Sequence, residues 1–276
     1  MSITLSSSAP TERPAPIPRG LLPAMLARGP LLLCLDFDGT ISEIVSHPAD
    51  ARPVDGVTEV LRALACHPAS VQVAIVSGRS ISQVQAMLGI DRGILFSGTH
   101  GLEIVRADGV RHFAKGVEHA ERDLAKVRTW LREHAPAKDG FVIEDKQVAI
   151  AMHYRMVEPS IADERRQALR AFVESRTPAL RIMEGSKVDE LLPRGVGGKG
   201  RAIRMLLDDL GRPAPWAIYF GDDTTDEDAF RELRDDGVGV LVGPSRASWA
   251  RYRIDSPREV VRMLAGLAHE LARSKN

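Results

Sequence analysis

The sequence predicts an α/β protein, a parallel sheet wrapped by helices and interrupted by an inserted α+β unit. Three observations predict it. The run Leu31-Leu-Leu-Cys-Leu35 is apolar at every position instead of alternating, as expected of a strand buried on both faces of a parallel sheet. Similar runs then alternate with stretches whose apolar residues recur at helical spacing, the pattern of successive right-handed βαβ units. Between residues 108 and 193 that alternation gives way to helix, hairpin, helix, hairpin, and afterwards it returns.

Composition bounds the function. With 276 residues, 44% hydrophobic and 27% charged, the chain can bury one large core or two modest ones. Lys plus Arg equals Asp plus Glu at 37 each, so no global basic field is available to hold nucleic acid or an anionic membrane. An anionic ligand must therefore be held by a local site. Cys34 and Cys66 lie in apolar contexts and read as buried free thiols of a reducing compartment. No apolar run is long enough for a membrane span, and no signal-type segment opens the chain. A monomeric cytoplasmic protein is expected, with no nucleic-acid or membrane partner.

In chain order, Ser/Pro-rich residues 1–20 read as a flexible tail without chemistry, with a short helix over 21–26 leading into the first strand. After Thr40, residues 42–53 read as a loop. Val57, Val60, Leu61, Leu64 and Ala65 share one helical face, which His67-Pro68 ends. Residues 71–76 form the second strand, ending in Ser77-Gly78-Arg79, and Ile81, Val84, Met87 and Leu88 mark the next helix. Residues 94–96 form the third strand, ending in Ser97-Gly-Thr-His100-Gly-Leu-Glu103. This half of the core covers 21–107. In the insert, 108–193, a helix carrying Leu124, Val127 and Leu131 precedes a hairpin over 141–154 that turns at Glu144-Asp145-Lys146. A helix over 162–175 leads to a second hairpin, 179–183 with 187–192, turning at Glu184-Gly185-Ser186. The core resumes over 194–276: a helix after Gly195-Val-Gly-Gly-Lys199-Gly200, a strand over 216–220, a short last strand over 238–242 and a closing helix over 258–272.

Asp36 and Asp38 lie two apart, so both leave the carboxyl end of the first strand on one side, and Gly39 permits a tight turn after them. In an open α/β sheet that end is where ligands bind. An ordinary Asp-x-Asp-Gly turn is the competing reading of these residues taken alone. The other strand ends argue against it. They carry Ser77 and Arg79, His100 and Glu103, and Asp222, Asp223 and Asp226, with Lys199 at a helix start.

If the five aspartates converge on one lysine, each pair of unit charges about 4 Å apart repels by about 4 kcal/mol at an effective dielectric near 20. Such a cluster needs a hard divalent cation with oxygen ligands, and Mg²⁺ fits best. Mg²⁺ and Lys199 would offset the repulsion between a carboxylate and a phosphate ester, leaving Asp36 free to form an aspartyl-phosphate. Asp38, beside another acid, would keep a proton near neutral pH, give it to the leaving alcohol and later take one from water. Ser77 and the backbone amides after Asp38 would bind the transferring phosphoryl group.

Asp36-Phe-Asp38-Gly-Thr, Ser77, Lys199 and Gly-Asp222-Asp223-x-x-Asp226 resemble the four motifs of the haloacid dehalogenase superfamily of phosphohydrolases. More narrowly, Val-Ser-Gly-Arg79, Gly98-Thr-His-Gly-Leu-Glu103, Glu144-x-Lys146 with His153-Tyr-Arg155, Glu190-Leu-Leu-Pro-Arg-Gly and Gly-Asp-Asp-Thr-Thr-Asp-Glu-Asp-Ala-Phe230 resemble the trehalose-6-phosphate phosphatase family. The resemblance implies a Rossmannoid core with an inserted C2-type cap over 108–193 and Mg²⁺-dependent hydrolysis of trehalose 6-phosphate. It implies Asp36 as nucleophile and Asp38 as acid and base. Asp36, the Asp38 carbonyl and Asp222 would hold the metal, with Asp223 and Asp226 ordering its waters. Substrate contacts would come from Gly39, Thr40, Arg79, His100, Gly101 and Glu103 in the core, and from Glu144, Lys146, Arg155, Lys187 and Glu190 in the cap. One position departs from the family: a Gly-Lys pair four residues before the Glu190 equivalent is replaced here by Ser186, with the lysine shifted to Lys187. One step along a strand reverses a side chain, so Lys187 either substitutes or points away.

Other readings compete. Gly195-x-Gly197-x-x-Gly200 matches a dinucleotide fingerprint in form, but the strand before it belongs to the hairpin unit and the acid that follows, Asp222, lies in a carboxylate cluster. A flexible loop presenting Lys199 explains these glycines better. His153 reads as strand packing, His100 as shaping its loop, and Glu227 and Asp228 as helix N-terminal acids. Scattered histidines without paired spacing argue against zinc. Arg79 reads equally as a substrate contact or a structural ion pair. A phosphatase or phosphomannomutase-like enzyme for another sugar phosphate is the nearest alternative, and a non-catalytic sugar-phosphate sensor is the alternative of a different class.

Overall fold

All five residues of Leu31–Leu35 are buried in the strand they form, as their lack of alternation requires. The computed structural model describes residues 10–45, 50–185, 187–211 and 216–274. It divides into two units, Met1–Arg111 with Gly198–Asn276, and His112–Gly197. The first holds β1 (Ala15–Pro16), α1 (Leu21–Leu26), β2 (Leu31–Leu35), α2 (Val57–Ala65), β3 (Val71–Val76), α3 (Ile81–Leu88), β4 (Leu95–Gly98) and β5 (Glu103–Val105); β6 (Arg111–Phe113) straddles the boundary. The second holds α4 (Glu121–His134), β7 (Val142–Asp145), β8 (Ile150–His153), α5 (Pro159–Arg176), β9 (Leu180–Gly185) and β10 (Val188–Pro193). The chain then returns to the first unit with α6 (Lys199–Leu210), β11 (Ala217–Gly221), α7 (Glu227–Glu232), β12 (Val238–Val242), β13 (Tyr252–Ile254) and α8 (Pro257–Arg273).

The first unit's strands run in the order β1-β13-β12-β11-β2-β3-β4-β5. They are parallel from β1 to β4, and β5 is antiparallel to β4. Alternate residues of the central strands face opposite layers. Leu31, Leu33, Leu35, Val73 and Ile75 pack with α2, α3 and α8, while Leu32, Cys34, Ala74, Val76 and Tyr219 pack with α6 and α7. The pairing of β2 with β11 sets where the acidic residues emerge. Leu35 is in register with Phe220, and the Asp36 amide donates to the Phe220 carbonyl at 2.9 Å, so the two acidic motifs leave the sheet side by side.

The second unit carries one four-stranded sheet, order β7-β8-β10-β9, because β8 pairs antiparallel with β10 and joins the two hairpins. Leu124, Val127, Leu131, Leu169 and Val173 of its two helices cover the face that shows Ile150, Met152, Leu180 and Leu191. Among the described residues no helix is long and apolar enough to cross a membrane.

Several expectations are corrected. Residues 10–18 of the expected tail are not free of structure: β1 pairs with β13, and the Ser248 amide donates to the Glu12 carbonyl at 3.0 Å, while residues 1–9 lie outside the described residues. β12 is followed by a further strand, β13, and Glu103 lies on a strand instead of in a loop. Strands of two or three residues leave no periodic signal. The first hairpin turns over 146–149, since Glu144 and Asp145 belong to β7; Gln147 takes φ +67° there, and its carbonyl accepts from Arg128 at 2.8 Å. In the second hairpin Ser186 lies outside the described residues, as do 46–49 of the loop after Thr40. The unit boundaries fall a few residues beyond 108 and 193. Neither cysteine is in a disulfide, but only Cys34 is buried; Cys66 caps the end of α2 and is exposed.

Candidate active site

Three carboxylates meet beyond β2 and β11. Asp36, Asp222 and Asp226 each offer an oxygen within 4.8 Å of the others. Asp36 follows β2, and Asp222 follows β11. Asp226 ends the 3-10 turn Thr224–Asp226, which Asp223 caps by accepting from the Thr224 amide at 2.6 Å. Close approach is built into the glycines. Gly39 has φ +72°, and a β-carbon there would lie 2.1 Å from Asp222 Oδ2; one at Gly221 would lie 2.3 Å from the Asp226 carboxyl carbon.

Lys199, the first residue of α6, enters this cluster almost fully buried. Its Nζ lies 3.0 Å from Asp36 Oδ2 and 2.6 Å from Asp226 Oδ1. Burial opposes its charge, but Asp36 and Asp226 outweigh burial and hold the ammonium charged. Burial pushes the Asp36 carboxyl well above the ordinary range; Lys199 opposes this, and Asp226 and Asp222 reinforce it. Burial and then Asp226 push Asp222 up to about 7, against the pull of Lys199. Two carboxyls raised this way mark a site short of positive charge. A donor set of hard oxygens with excess negative charge suits a hard divalent ion.

The expected convergence of five aspartates is only partly realised. Among the described residues the group of acids whose oxygens meet is Asp36, Asp222 and Asp226, without Asp38. Arg79 Nε and Nη2 each donate to one of its oxygens at 2.7 Å, so of the two readings of Arg79 the ion pair is the one observed. Asp223 is spent on its own turn, and its amide donates to Asp226 Oδ2 at 2.9 Å. The reason is local: side chains two apart start on one side, but the turn at Gly39 lets Asp38 swing toward β3.

Ser77 is buried at the end of β3, and its hydroxyl accepts from the Arg79 amide at 3.2 Å. Thr40 is fully buried, and its Oγ1 finds no hydrogen-bond partner among the described residues. The loop after β4 is bolted to both neighbours. The Thr99 amide donates to the Arg79 carbonyl at 2.8 Å, the His100 amide to the Ser77 carbonyl at 3.3 Å, and the Gly198 amide to the His100 carbonyl at 2.6 Å. Thr99 and His100 hold φ of +50° and +55°, a strained pair for side-chain-bearing residues. Gly101 is a packing position, where a β-carbon would lie 2.6 Å from the Gly198 carbonyl oxygen. Glu103 is buried with Arg111 Nη1 2.6 Å from its Oε1. Lys199 sits on a helix start and not in a flexible loop, because the Gly200 amide donates to Asp228 at 3.1 Å and so ties α6 to α7.

The second unit gathers its own polar group. Glu144 and Glu190 both pair in register with Ala151, so they share the sheet face away from the helices, with a small residue between. Lys146 Nζ lies 2.5 Å from Glu190 Oε1, and His153 Nε2 lies 3.4 Å from Glu144 Oε2. The hydrogen bond from His153 holds the Glu144 carboxyl below its ordinary range, against burial. Arg155 is exposed beyond β8. Lys187 has φ +63°, and its Nζ lies 6.0 Å from the centre of the Tyr154 ring.

Two residues of the first site went unmarked in the sequence. Tyr219 Oη donates to Asp226 Oδ1, but an aromatic residue inside an apolar run signals only core. Arg246 bonds Glu227 and donates to the Asp223 carbonyl at 2.9 Å, bracing the acidic loop from a segment with no motif. Glu227 also accepts from the Trp249 amide at 2.8 Å, a second task for a residue read only as a helix N-terminal acid.

Comparison with known proteins agrees with this geometry. Residues 34–258 match the trehalose-phosphatase family model. A trehalose-phosphate phosphatase of Mycobacterium leprae is 36% identical over 267 residues, covering 92% of this chain and 61% of the relative. An uncharacterized glycosyl hydrolase of Mycobacterium tuberculosis is 38% identical over 247 residues, covering 86% of this chain and 18% of the relative. The chain thus spans less than two thirds of the length of these curated relatives. The solved C-terminal domain of the Candida albicans trehalose-6-phosphate phosphatase superposes with a TM-score of 0.72 at 25% identity, covering 95% of this chain and 99% of that one. The match to the family model over most of the chain, in which Asp36, Asp222 and Asp226 meet beyond two neighbouring strands, places the protein in the trehalose-phosphatase family.

Proposed function

We propose that the protein hydrolyses trehalose 6-phosphate to trehalose and inorganic phosphate with Mg²⁺, through an aspartyl-phosphate on Asp36. The observation that carries this reading is the buried Asp36 carboxylate, ion-paired to Lys199 and crowded by Asp222 and Asp226 at the mouth of β2. Asp36 attacks the phosphorus, and Lys199 holds its carboxylate in place and offsets the charge that gathers on the phosphoryl oxygens. Asp38 gives a proton to the departing sugar oxygen and takes one from the water that cleaves the acyl phosphate. Ser77 and Thr40, a buried hydroxyl with no partner among the described residues, bind the phosphoryl oxygens. Asp36, the Asp38 carbonyl and Asp222 would hold Mg²⁺, with Asp223 and Asp226 ordering its waters. When bound, Mg²⁺ supplies the positive charge that lets two anions approach.

The second unit is read as the substrate-specificity cap, with Glu144, Lys146, Arg155 and Glu190 taking the sugar hydroxyls and Lys187 reaching past Tyr154. The protein is read as a cytoplasmic monomer. Phosphate release from a panel of phosphorylated mono- and disaccharides, with magnesium or with a chelator, tests this. Trehalose 6-phosphate should be turned over fastest, and only with the metal. Faster release from another sugar phosphate, or none from any, overturns the reading.

A further inference from the structure

We infer that Arg79 is the positioning residue for Asp38, holding that carboxylate at the leaving-group side of the site. This rests on the phosphatase reading above. Arg79 is the fixed partner: its side chain is 12% exposed against 43% for Asp38. Its amide is held by Ser77 Oγ at 3.2 Å, and its carbonyl by the Thr99 amide at 2.8 Å. Its guanidinium lies 5.7 Å from the centre of the buried Phe37 ring. Both oxygens of Asp38 are engaged by the Nε and Nη2 fork at 2.7 Å, which fixes the plane of the carboxylate as a single bond could not. Asp38 is not one of the three acids whose oxygens meet beyond β2. A carboxylate at a half-exposed mouth, left to itself, would sample several rotamers, and a misplaced acid transfers protons slowly. The strained loop at Thr99 and His100 gains a purpose, since it anchors the backbone of both Ser77 and Arg79.

Leaving-group dependence separates this role from substrate binding and from plain structure. The sugar alkoxide of trehalose 6-phosphate needs a proton as it leaves, whereas the nitrophenolate of p-nitrophenyl phosphate does not. Steady-state kinetics with Mg²⁺ would compare the wild-type protein with Arg79→Ala, Arg79→Lys, Asp38→Asn and the Asp38→Asn/Arg79→Ala pair. Arg79→Ala should lower kcat on trehalose 6-phosphate about 10²-fold with KM little changed, and kcat on the aryl ester no more than about threefold. Arg79→Lys should recover part of the sugar-phosphate rate, and the double variant should be no slower than Asp38→Asn alone. Equal losses on both substrates, an effect on KM alone, or losses that multiply in the double variant would overturn the assignment. If Arg79→Ala does not fold, Arg79→Lys carries the same contrast, because it keeps the charge and loses the fork. No turnover of either substrate by the wild-type protein would sink the phosphatase reading itself, and this assignment with it.

Discussion

Lys199 and Asp36 form a buried ion pair at 3.0 Å although they lie far apart in the sequence. Lys199 also serves Asp226 at 2.6 Å, so one ammonium balances two carboxylates, with Asp222 close by. Removing one partner of a buried pair costs about 3–5 kcal/mol, because the other charge is stranded. The site is therefore held together by the groups that would react in it, and its excess negative charge suits a hard cation.

Asp36→Asn should abolish phosphate release while the protein still folds. The amide cannot attack phosphorus, and it removes a carboxylate whose charge burial disfavours. Turnover and thermal unfolding measured together check this; turnover at the wild-type rate would remove Asp36 as nucleophile.

Stability should depend on pH in the direction opposite to that of a salt-bridged aspartate whose pKa is lowered on folding. Asp222 is pushed up to about 7, and Asp36 is raised well above its ordinary value. Between the ordinary carboxylate range and about 7, the folded protein binds more protons than the unfolded chain. The contribution of these groups is thus fully present at low pH and is lost as pH rises through about 7. Magnesium binds the deprotonated cluster, so the stabilisation from a fixed magnesium concentration should grow over the same window. Denaturation midpoints at pH 5 and pH 8, with and without magnesium, check the sign. A magnesium effect larger at pH 5 would contradict it.

Gly39→Ala should weaken metal activation by about 10–100-fold. The substitution places a methyl group where Asp222 Oδ2 now lies, at a backbone φ of +72° that alanine rarely adopts. The magnesium concentration for half-maximal phosphate release is the readout; an unchanged value would mean that Asp222 does not need this close approach.

Glu190→Ala should slow trehalose 6-phosphate turnover by about 10–100-fold, the worth of one or two charge-assisted hydrogen bonds, and barely affect a small phosphate ester. On the proposed reading the Lys146 and Glu190 pair binds sugar hydroxyls, which a small phosphate ester lacks. Comparable losses on both substrates would contradict the sugar-binding reading of that face.

Long elements were legible because their periodicity repeats: Leu31–Leu35, the helices α2, α6 and α8, and the helix-hairpin pattern of the insert all announce themselves. Short pieces were not. β1, β5 and β13 have two or three residues each, too few to show a period, and they exist because neighbouring strands offer them hydrogen bonds. The site shows the same division. Asp36, Lys199, Asp222 and Asp226 stood out because acids and a glycine-flanked lysine at core strand ends have no packing purpose. Tyr219 and Arg246 were silent, the first disguised as core and the second on a loop without pattern.

By itself the sequence determined the architecture and the strand ends that carry acidic residues, since these derive from hydrophobic period and from charge. Which acids meet was decided only by the tertiary structure. The register of β2 against β11 brought Asp222 and Asp226 to Asp36, while the turn at Gly39 handed Asp38 to Arg79. Spacing along a chain says which side a residue starts on; the partner that captures its charge comes from another strand, and only folding chooses it.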